Sequence, residues 1–247
     1  MNRTPRERIQ SLQIKNVTHC YGEGEGKVEI LKDITFQLPL GKTIILEGDP
    51  GSGKSLLLKI MAGIVEPTVG EVIYNGRNLS NISFEEFTQT RLSTTICFEN
   101  GGLINNKTLL ENMKLGLMYH GGWRMERSDG LLRDLIENFQ IGKFLNLRPS
   151  AVSTGVRKMA GLVRSFVSNA QILFLDEPSL GLGTKGAEAL KYWMDKYRNE
   201  GKHDEVIIMA CSDHEFVEAF ECVRLNLKDG KLTVKNYLPP ETQKEVA

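Results

Sequence analysis

The apolar positions along this 247-residue chain change period several times, and the changes divide it into elements. "SLQIKNVTHCY" (11–21) alternates apolar and polar residues as a half-buried strand does, and "VEILKDITFQL" (28–38) supplies a second strand. "KTIILEGD" (42–49) is an unbroken apolar run, which predicts a strand covered on both faces. At Lys54 the spacing turns helical through "GSGKSLLLKIMAGI", and "GEVIYNGRNL" then predicts a hairpin around Asn75-Gly76. From about 84 to 165 the pattern is mainly helical, with apolar stripes in "TLLENMKLGLMYH" and "SDGLLRDLIENFQI" and one strand-like exception, "STTICFE". Strands return at "QILFLD" and "EVIIMAC" around the helical "GAEALKYWMDKYRNEG", and "VRLNLKDGKLTVKN" predicts a hairpin at Asp229-Gly230. Strand, helix, strand, helix implies a mainly parallel sheet. The expected fold is one α/β domain with a core of about 12–83 and 166–236. Its N-terminal side carries an antiparallel β portion, a helical subdomain occupies 84–165, and 237–247 is a frayed tail.

Composition narrows the partners. Lys plus Arg and Asp plus Glu balance at 31 each, so no net field steers the chain toward nucleic acid, and none is expected as a partner. No apolar run approaches the length of a membrane span, and the N-terminus lacks the apolar core of a signal peptide. A cytoplasmic chain is expected, peripheral on the inner face of the cell membrane only through a partner. Cys20, Cys97, Cys211 and Cys222 are scattered, without C-x-x-C spacing, and are expected to be reduced structural thiols. His19, His120 and His203 lack mutual metal spacing.

Candidate chemistry concentrates in two places. "GDPGSGKS", Gly48 to Ser55, matches G-x-x-x-x-G-K-[ST] between a buried strand and a helix, as that pattern requires. Gly48, Gly51 and Gly53 let successive amides turn inward on an anion, and the helix starting near Lys54 adds its positive dipole end. Asp49, Pro50 and Ser52 fill the variable positions, Asp49 with a negative charge. Lys54 would reach the β and γ phosphates of ATP, and the Ser55 hydroxyl would ligate Mg2+. "ILFLDEP" places Asp176 and Glu177 at the end of an apolar strand, where Asp176 would hold the metal and Glu177 polarise the attacking water. Between these motifs lies "SAVSTGVRKMAGL" (150–162). Its Ser153 or Thr154 can cap a helix, which suffices to explain it, and its Ser-Thr-Gly has a functional reading only if the rest of the chain supplies a phosphate for it to touch.

In this order the motifs resemble the nucleotide-binding subunit of ABC transporters, from about residue 12 to 236. The resemblance implies an ABC-type P-loop ATPase fold and a second ATPase subunit, in a homodimer or heterodimer, with each ATP held between one cradle and the facing subunit's signature. Tyr21 of "HCYGEG" falls where the family stacks an aromatic on adenine, although a plain turn tyrosine explains it as well. "VSTGV" occupies the place of the signature LSGGQ, so Ser153 and Gly155 become phosphate contacts. "FENGGLINNKTLLENM" resembles the loop that carries a metal-binding glutamine and meets the membrane-spanning subunit, which places that partner near Glu99 to Asn106. "ENGGLINNKTLLENMKLGL", the glycine Gly183 in "EPSLGLG" and Val156 closing the signature are most similar to the ATPases of MCE-type (Mla) phospholipid transporters.

Four positions depart from the family pattern. Glu99 replaces the glutamine: a carboxylate still ligates Mg2+, but adds repulsion of up to about 4 kcal/mol at 4 Å from a phosphate charge in a surface-like dielectric. Thr154 replaces the first signature glycine, and Gly183 an aspartate that links the two sites. "ACSDHEF" offers Asp213 in the place of the γ-phosphate histidine, with His214 one residue later as the candidate catalytic donor or as an ordinary helix-start residue. The expected function is ATP binding and hydrolysis for an ABC membrane transporter with a lipid cargo. The alternatives are a nucleotide-binding regulatory or assembly subunit with little turnover, and a soluble ABC protein such as an iron-sulfur assembly ATPase.

Overall fold

The structure, a computed structural model, describes residues 6–22, 24–119, 125–200 and 204–235. The tail expected at 237–247, His120 and His203 lie outside the described residues. Strands β1 (Leu12–Tyr21) and β2 (Val28–Gln37) pair antiparallel, with Ile14 opposite Phe36 and Val17 opposite Ile34. β3 (Thr43–Glu47) is buried along its whole length and leads through the glycine cradle into α1 (Lys54–Met61). β4 (Val69–Tyr74) and β5 (Arg77–Asn78) form the first expected hairpin; Asn75 and Gly76, at φ 51° and 76°, supply the left-handed pair that a two-residue turn needs. Helix α2 (Phe84–Arg91) opens on a reciprocal capping box between Ser83 and Glu86. There follow β6 (Thr94–Cys97), α3 (Leu109–Tyr119), α4 (Met125–Asn138) and α5 (Thr154–Val167). The C-terminal half alternates β7 (Ile172–Asp176), α6 (Gly183–Glu200), β8 (Val206–Ala210) and α7 (His214–Glu218), and closes on the hairpin β9 (Val223–Lys228) and β10 (Lys231–Val234).

Two sheets result, a four-stranded one in the order β2-β1-β4-β5 and a six-stranded one in the order β10-β9-β3-β8-β7-β6. The first is antiparallel, and the second is parallel from β9 to β6. Alternate side chains of the central strands enter two different cores. Ile44, Leu46, Ile172, Phe174 and Ile208 pack toward α1 and the antiparallel sheet, whereas Ile45, Leu173, Leu175, Ile207 and Met209 pack toward α5 and α6. Covering on both faces is the physical reason these strands read as unbroken apolar runs rather than alternating ones.

Two expected boundaries move. β6 lies within 84–165 yet forms the edge of the six-stranded sheet, paired in parallel with β7, so the sheet recruits a strand from inside the helical segment. The core also starts before residue 12. Ile9 is fully buried, and its backbone N–H and carbonyl are both bound by the side-chain amide of Gln171. Arg6 donates to the carbonyls of Ser168 and Asn169 after α5. Glu7 joins three elements: its carboxylate accepts hydrogen bonds from Asn75, Arg77 and Thr90. Burial alone would raise the pKa of Glu7, but these bonds and the Arg77 charge outweigh it and hold the group below its ordinary value. A depressed carboxylate stabilises the fold above its unfolded pKa, and that contribution disappears as pH falls through the folded value. Thermal unfolding of the wild type should therefore lose stability over roughly pH 5 to 3. Glu7→Gln should show a shallower slope in that window, and an unchanged slope would remove Glu7 as its source.

Candidate active site

The cradle is built by backbone that only glycine adopts without strain. Gly48 has φ 147°, and a Cβ there would lie 2.3 Å from the carbonyl oxygen of Leu227 on β9. Gly53, at φ 99°, caps α1 without any side-chain hydrogen bond, so the first amides of the helix are left to an external acceptor. Lys54 is buried, and its Nζ donates to the carbonyls of Gly48 at 2.7 Å and Asp49 at 3.0 Å, which seats the cation inside the loop. The Ser52 hydroxyl is buried with no hydrogen-bond partner among the described residues. An unpartnered donor beside converging amides and a buried ammonium fits a polyphosphate. On the floor of the loop, Ser55 Oγ donates to Asp176 Oδ1 at 2.6 Å, joining positions 121 residues apart. A hydroxyl against a buried carboxylate is a donor set that suits a hard divalent cation such as Mg2+.

Glu177 follows Asp176 at the end of β7 with φ 43°, a left-handed conformation rarely held by a long side chain. Its N–H donates to the Ala210 carbonyl at 2.8 Å. Its carboxylate accepts from the Ser212 hydroxyl at 2.6 Å and the Ser212 amide at 2.9 Å. Ser212, the second residue after β8, thus reaches the acid, and the sequence analysis did not single it out. Asp213 is the N-cap of α7, its side chain accepting from the Phe216 amide at 3.0 Å. His214 is the exposed first residue of α7, as its reading as a helix-start residue expects, and lines neither cleft described below. A capping aspartate must stand at the end of the loop, which leaves Ser212, one residue earlier, facing Glu177. The D-x-x-F spacing of Asp213 to Phe216 was the available signal.

Lys158 was missed as well. It lies on the buried face of α5, is 1% exposed, and donates from Nζ to the carbonyls of Asp176 at 2.8 Å and Glu177 at 2.9 Å. Burial pushes its pKa down, opposed by Cys97 and the carboxylates of Asp176, Glu99 and Glu177. Its spacing of four from Leu162, within an apolar stripe, was the sequence sign that it faces inward.

Two adjoining clefts bring the other candidates together. One of about 690 Å³ is lined by Tyr21, Pro50, Gly51, Lys54, Ser55, Glu177 and Ser212. Tyr21 is 56% exposed on its wall and touches His19 edge to face, with ring centres 5.2 Å apart. The second, about 550 Å³, is lined by Ser55, Glu99, Asp176, Thr154 and Gly181, so Glu99 shares it with the Ser55–Asp176 pair and shares the first cleft with Ser55. Ser153 and Gly155 line neither cleft of their own chain. The Ser153 hydroxyl instead accepts from the Val156 amide at 3.4 Å, as a helix cap, and Thr154 Oγ1 accepts from Arg157 at 2.9 Å. Gly155 abuts the loop after β7, where a Cβ would lie 2.3 Å from the Gly181 carbonyl oxygen. Gly183 has φ 67°, a conformation that favours glycine over the aspartate of the family pattern.

A family model described as "ABC transporter" matches residues 31–180, a span from β2 through the cradle and the acid pair. The chain belongs to the ABC transporter family. An uncharacterized ABC transporter ATP-binding protein of Methanocaldococcus jannaschii is 31% identical over 225 residues, 90% of this chain and 97% of that one. The lipoprotein-releasing system ATP-binding protein LolD of Wigglesworthia glossinidia brevipalpis is 28% identical over 227 residues, 91% of this chain and 97% of that one. Among solved structures, the dimeric post-hydrolysis state of the ATP-binding cassette MJ0796 bound to ADP and Pi is similar with a TM-score of 0.80 and 25% identity, covering 92% of this chain and all of that one.

In this ABC cassette the segment expected to meet a membrane partner is firmly seated on α5. Arg164 donates to the carbonyls of Gly101 and Gly102 at 2.9 Å each. A Cβ on Gly161 would lie 2.6 Å from the Gly101 oxygen, so two glycines permit the approach. Asn112, fully buried, accepts from the Ile104 amide and donates to the carbonyls of Ile104, Lys107 and Thr108. Beside this loop lies a third cleft of about 280 Å³ lined by Asn100, Leu103, Asn105, Pro149 and Arg157. Among the described residues no helix is long and apolar enough to cross a membrane.

Proposed function

We propose that the chain binds MgATP in the Gly48–Ser55 cradle and hydrolyses it, as one of two facing subunits, to drive a membrane-spanning transporter subunit. The observation that carries this is the Ser55–Asp176 pair at 2.6 Å, with Glu177 next in the chain and held by Ser212. Lys54 binds the β and γ phosphates, while Tyr21 offers a π face to the base. Ser55 and Asp176, with Glu99 opposite, are the residues that would hold Mg2+, which when bound neutralises phosphate charge. Glu177 accepts the proton of the attacking water as its oxygen bonds to the γ phosphorus and the bond to the β-γ bridging oxygen breaks, leaving ADP and phosphate. Ser212 fixes the direction in which the carboxylate points.

Ser153, Thr154 and Gly155 belong, in this reading, to the site of the facing subunit: Ser153 and Gly155 line neither of the first two clefts, and Thr154 lines only the second. The dimeric state of the similar cassette supports such pairing. The Asn112-braced loop from Glu99 to Asn106 and the third cleft form the docking face for the membrane subunit, which would place the chain on the cytoplasmic face of the membrane. A lipid cargo is supported by the Mla-like segment 99–117 and, among relatives, by the one named for lipoprotein release.

A second reading, a nucleotide-binding regulatory subunit with low turnover, is favoured by Glu99 and by Ser212, too short to serve both Glu177 and a γ phosphate. Phosphate release from MgATP by the purified chain separates the two. Binding without release favours the regulatory reading. Thr154→Gly should raise turnover severalfold if the signature approaches a partner's phosphate, because the backbone then comes closer. An unchanged rate would leave helix capping as the whole role of Ser153–Gly155.

A further inference from the structure

Among the described residues, the buried charge least explained by the site is Lys158. An ammonium taken out of water costs several kcal/mol unless it is well bound, and a neutral donor would satisfy two carbonyls at lower cost. Its partners are unusual. It grips the consecutive carbonyls of Asp176 and Glu177, the second of which belongs to the residue with φ 43°. Left-handed backbone at a glutamate persists only where its surroundings over-determine it. Four groups do so: the Ala210 carbonyl on the Glu177 amide, Ser212 on the carboxylate, and Lys158 and the Leu180 amide on the carbonyl. Of these, only Lys158 comes from α5. Five residues upstream Ser153 caps the same helix, and its Gly155 packs on the Gly181 turn that follows the acids.

We propose that Lys158 is a positioning residue that fixes the strained Asp176–Glu177 backbone and makes α5 and the acid pair one mechanical unit, so that contact at the Ser153–Gly155 end of the helix sets where the Glu177 carboxylate points. The catalytic consequence rests on the ATPase reading above. The mechanical one does not. Contact with a second subunit's nucleotide at the start of α5 is transmitted through one side chain, over a single helical turn, to the base of the first subunit's own site. A displacement of about 1 Å at a reacting group is enough to cost on the order of 10²-fold in rate, so a modest shift of the helix is a sufficient switch.

The test compares the full chain with its Lys158→Met and Lys158→Gln variants. Steady-state phosphate release is measured together with MgATP affinity, thermal unfolding and amide hydrogen exchange across residues 174–182. Lys158→Met should lower kcat by about 10²-fold, with KM and ATP affinity held within about twofold. Its exchange should rise at 174–182 and not through the rest of the sheet. Lys158→Gln, which keeps N–H donors, should fall between Met and wild type, and it replaces Met if the latter does not fold. A folded variant with unchanged kcat and unchanged exchange overturns the proposal. So does a rise in exchange spread over the whole chain with kcat and KM moving together, the mark of general loosening. If the wild type itself releases no phosphate, the hydrolysis reading fails while the local exchange measurement still decides the role of Lys158.

Discussion

Glu177→Gln is expected to reduce ATP turnover by about 10²- to 10⁴-fold, the usual contribution of a positioned general base. The amide is nearly isosteric and still accepts one hydrogen bond from Ser212, whose hydroxyl and amide lie 2.6 and 2.9 Å from the carboxylate. Geometry is therefore largely kept while the capacity to take a proton from water is lost. Nucleotide affinity should stay within a few fold, because Lys54 and the cradle amides do not involve Glu177. Loss of hydrolysis with binding intact should also hold two subunits together around undissociated ATP, visible as a dimer by sedimentation in MgATP and a monomer without it. A Glu177→Gln chain that turns over at the wild-type rate would remove Glu177 as the base.

Lys54→Ala acts on binding. The ammonium is buried within the cradle and already held by two carbonyls, so its position is set before any phosphate arrives. Hydrogen bonds to charged groups contribute about 1.5–3 kcal/mol each, so losing two of them weakens ATP by roughly 10²- to 10⁴-fold. Titration calorimetry with ATP reads this directly. Truncation also leaves the Gly48 and Asp49 carbonyls without their donor, so unfolding temperature must be measured beside it. A folded Lys54→Ala chain binding ATP as tightly as wild type would place the phosphates elsewhere. The two variants are expected to divide the site, Lys54→Ala acting on affinity and Glu177→Gln on rate.

Some of the site was readable in advance because it is local. Gly48 to Ser55 is a continuous stretch whose loop depends on where glycines allow positive φ, and Asp176-Glu177 ends an apolar strand; neighbouring residues suffice to specify both. Both hairpins carry their turn residues in place, Asn75-Gly76 and Asp229-Gly230, again a matter of adjacent positions. Less was readable where one residue of register matters. "CSDHEF" allows either Asp213 or His214 to face the acids on spacing alone, and only the cap of α7 assigns Asp213 to the helix and Ser212 to Glu177.

By itself, then, the sequence determined the strand and helix periods, the cradle, the acid pair and the family those motifs resemble, because each is set by steric and hydrogen-bonding demands within about a dozen residues. Tertiary structure decided which distant groups meet. It brought Ser55 to Asp176 across 121 residues, Ser212 to Glu177 across 35, and Arg6 to Ser168 across 162. It also turned Lys158 inward onto a strained backbone that no spacing rule marks. The physical reason is that these contacts depend on the order in which strands pair in the sheet. That order is fixed by packing two cores against its opposite faces, and no local window of sequence contains it.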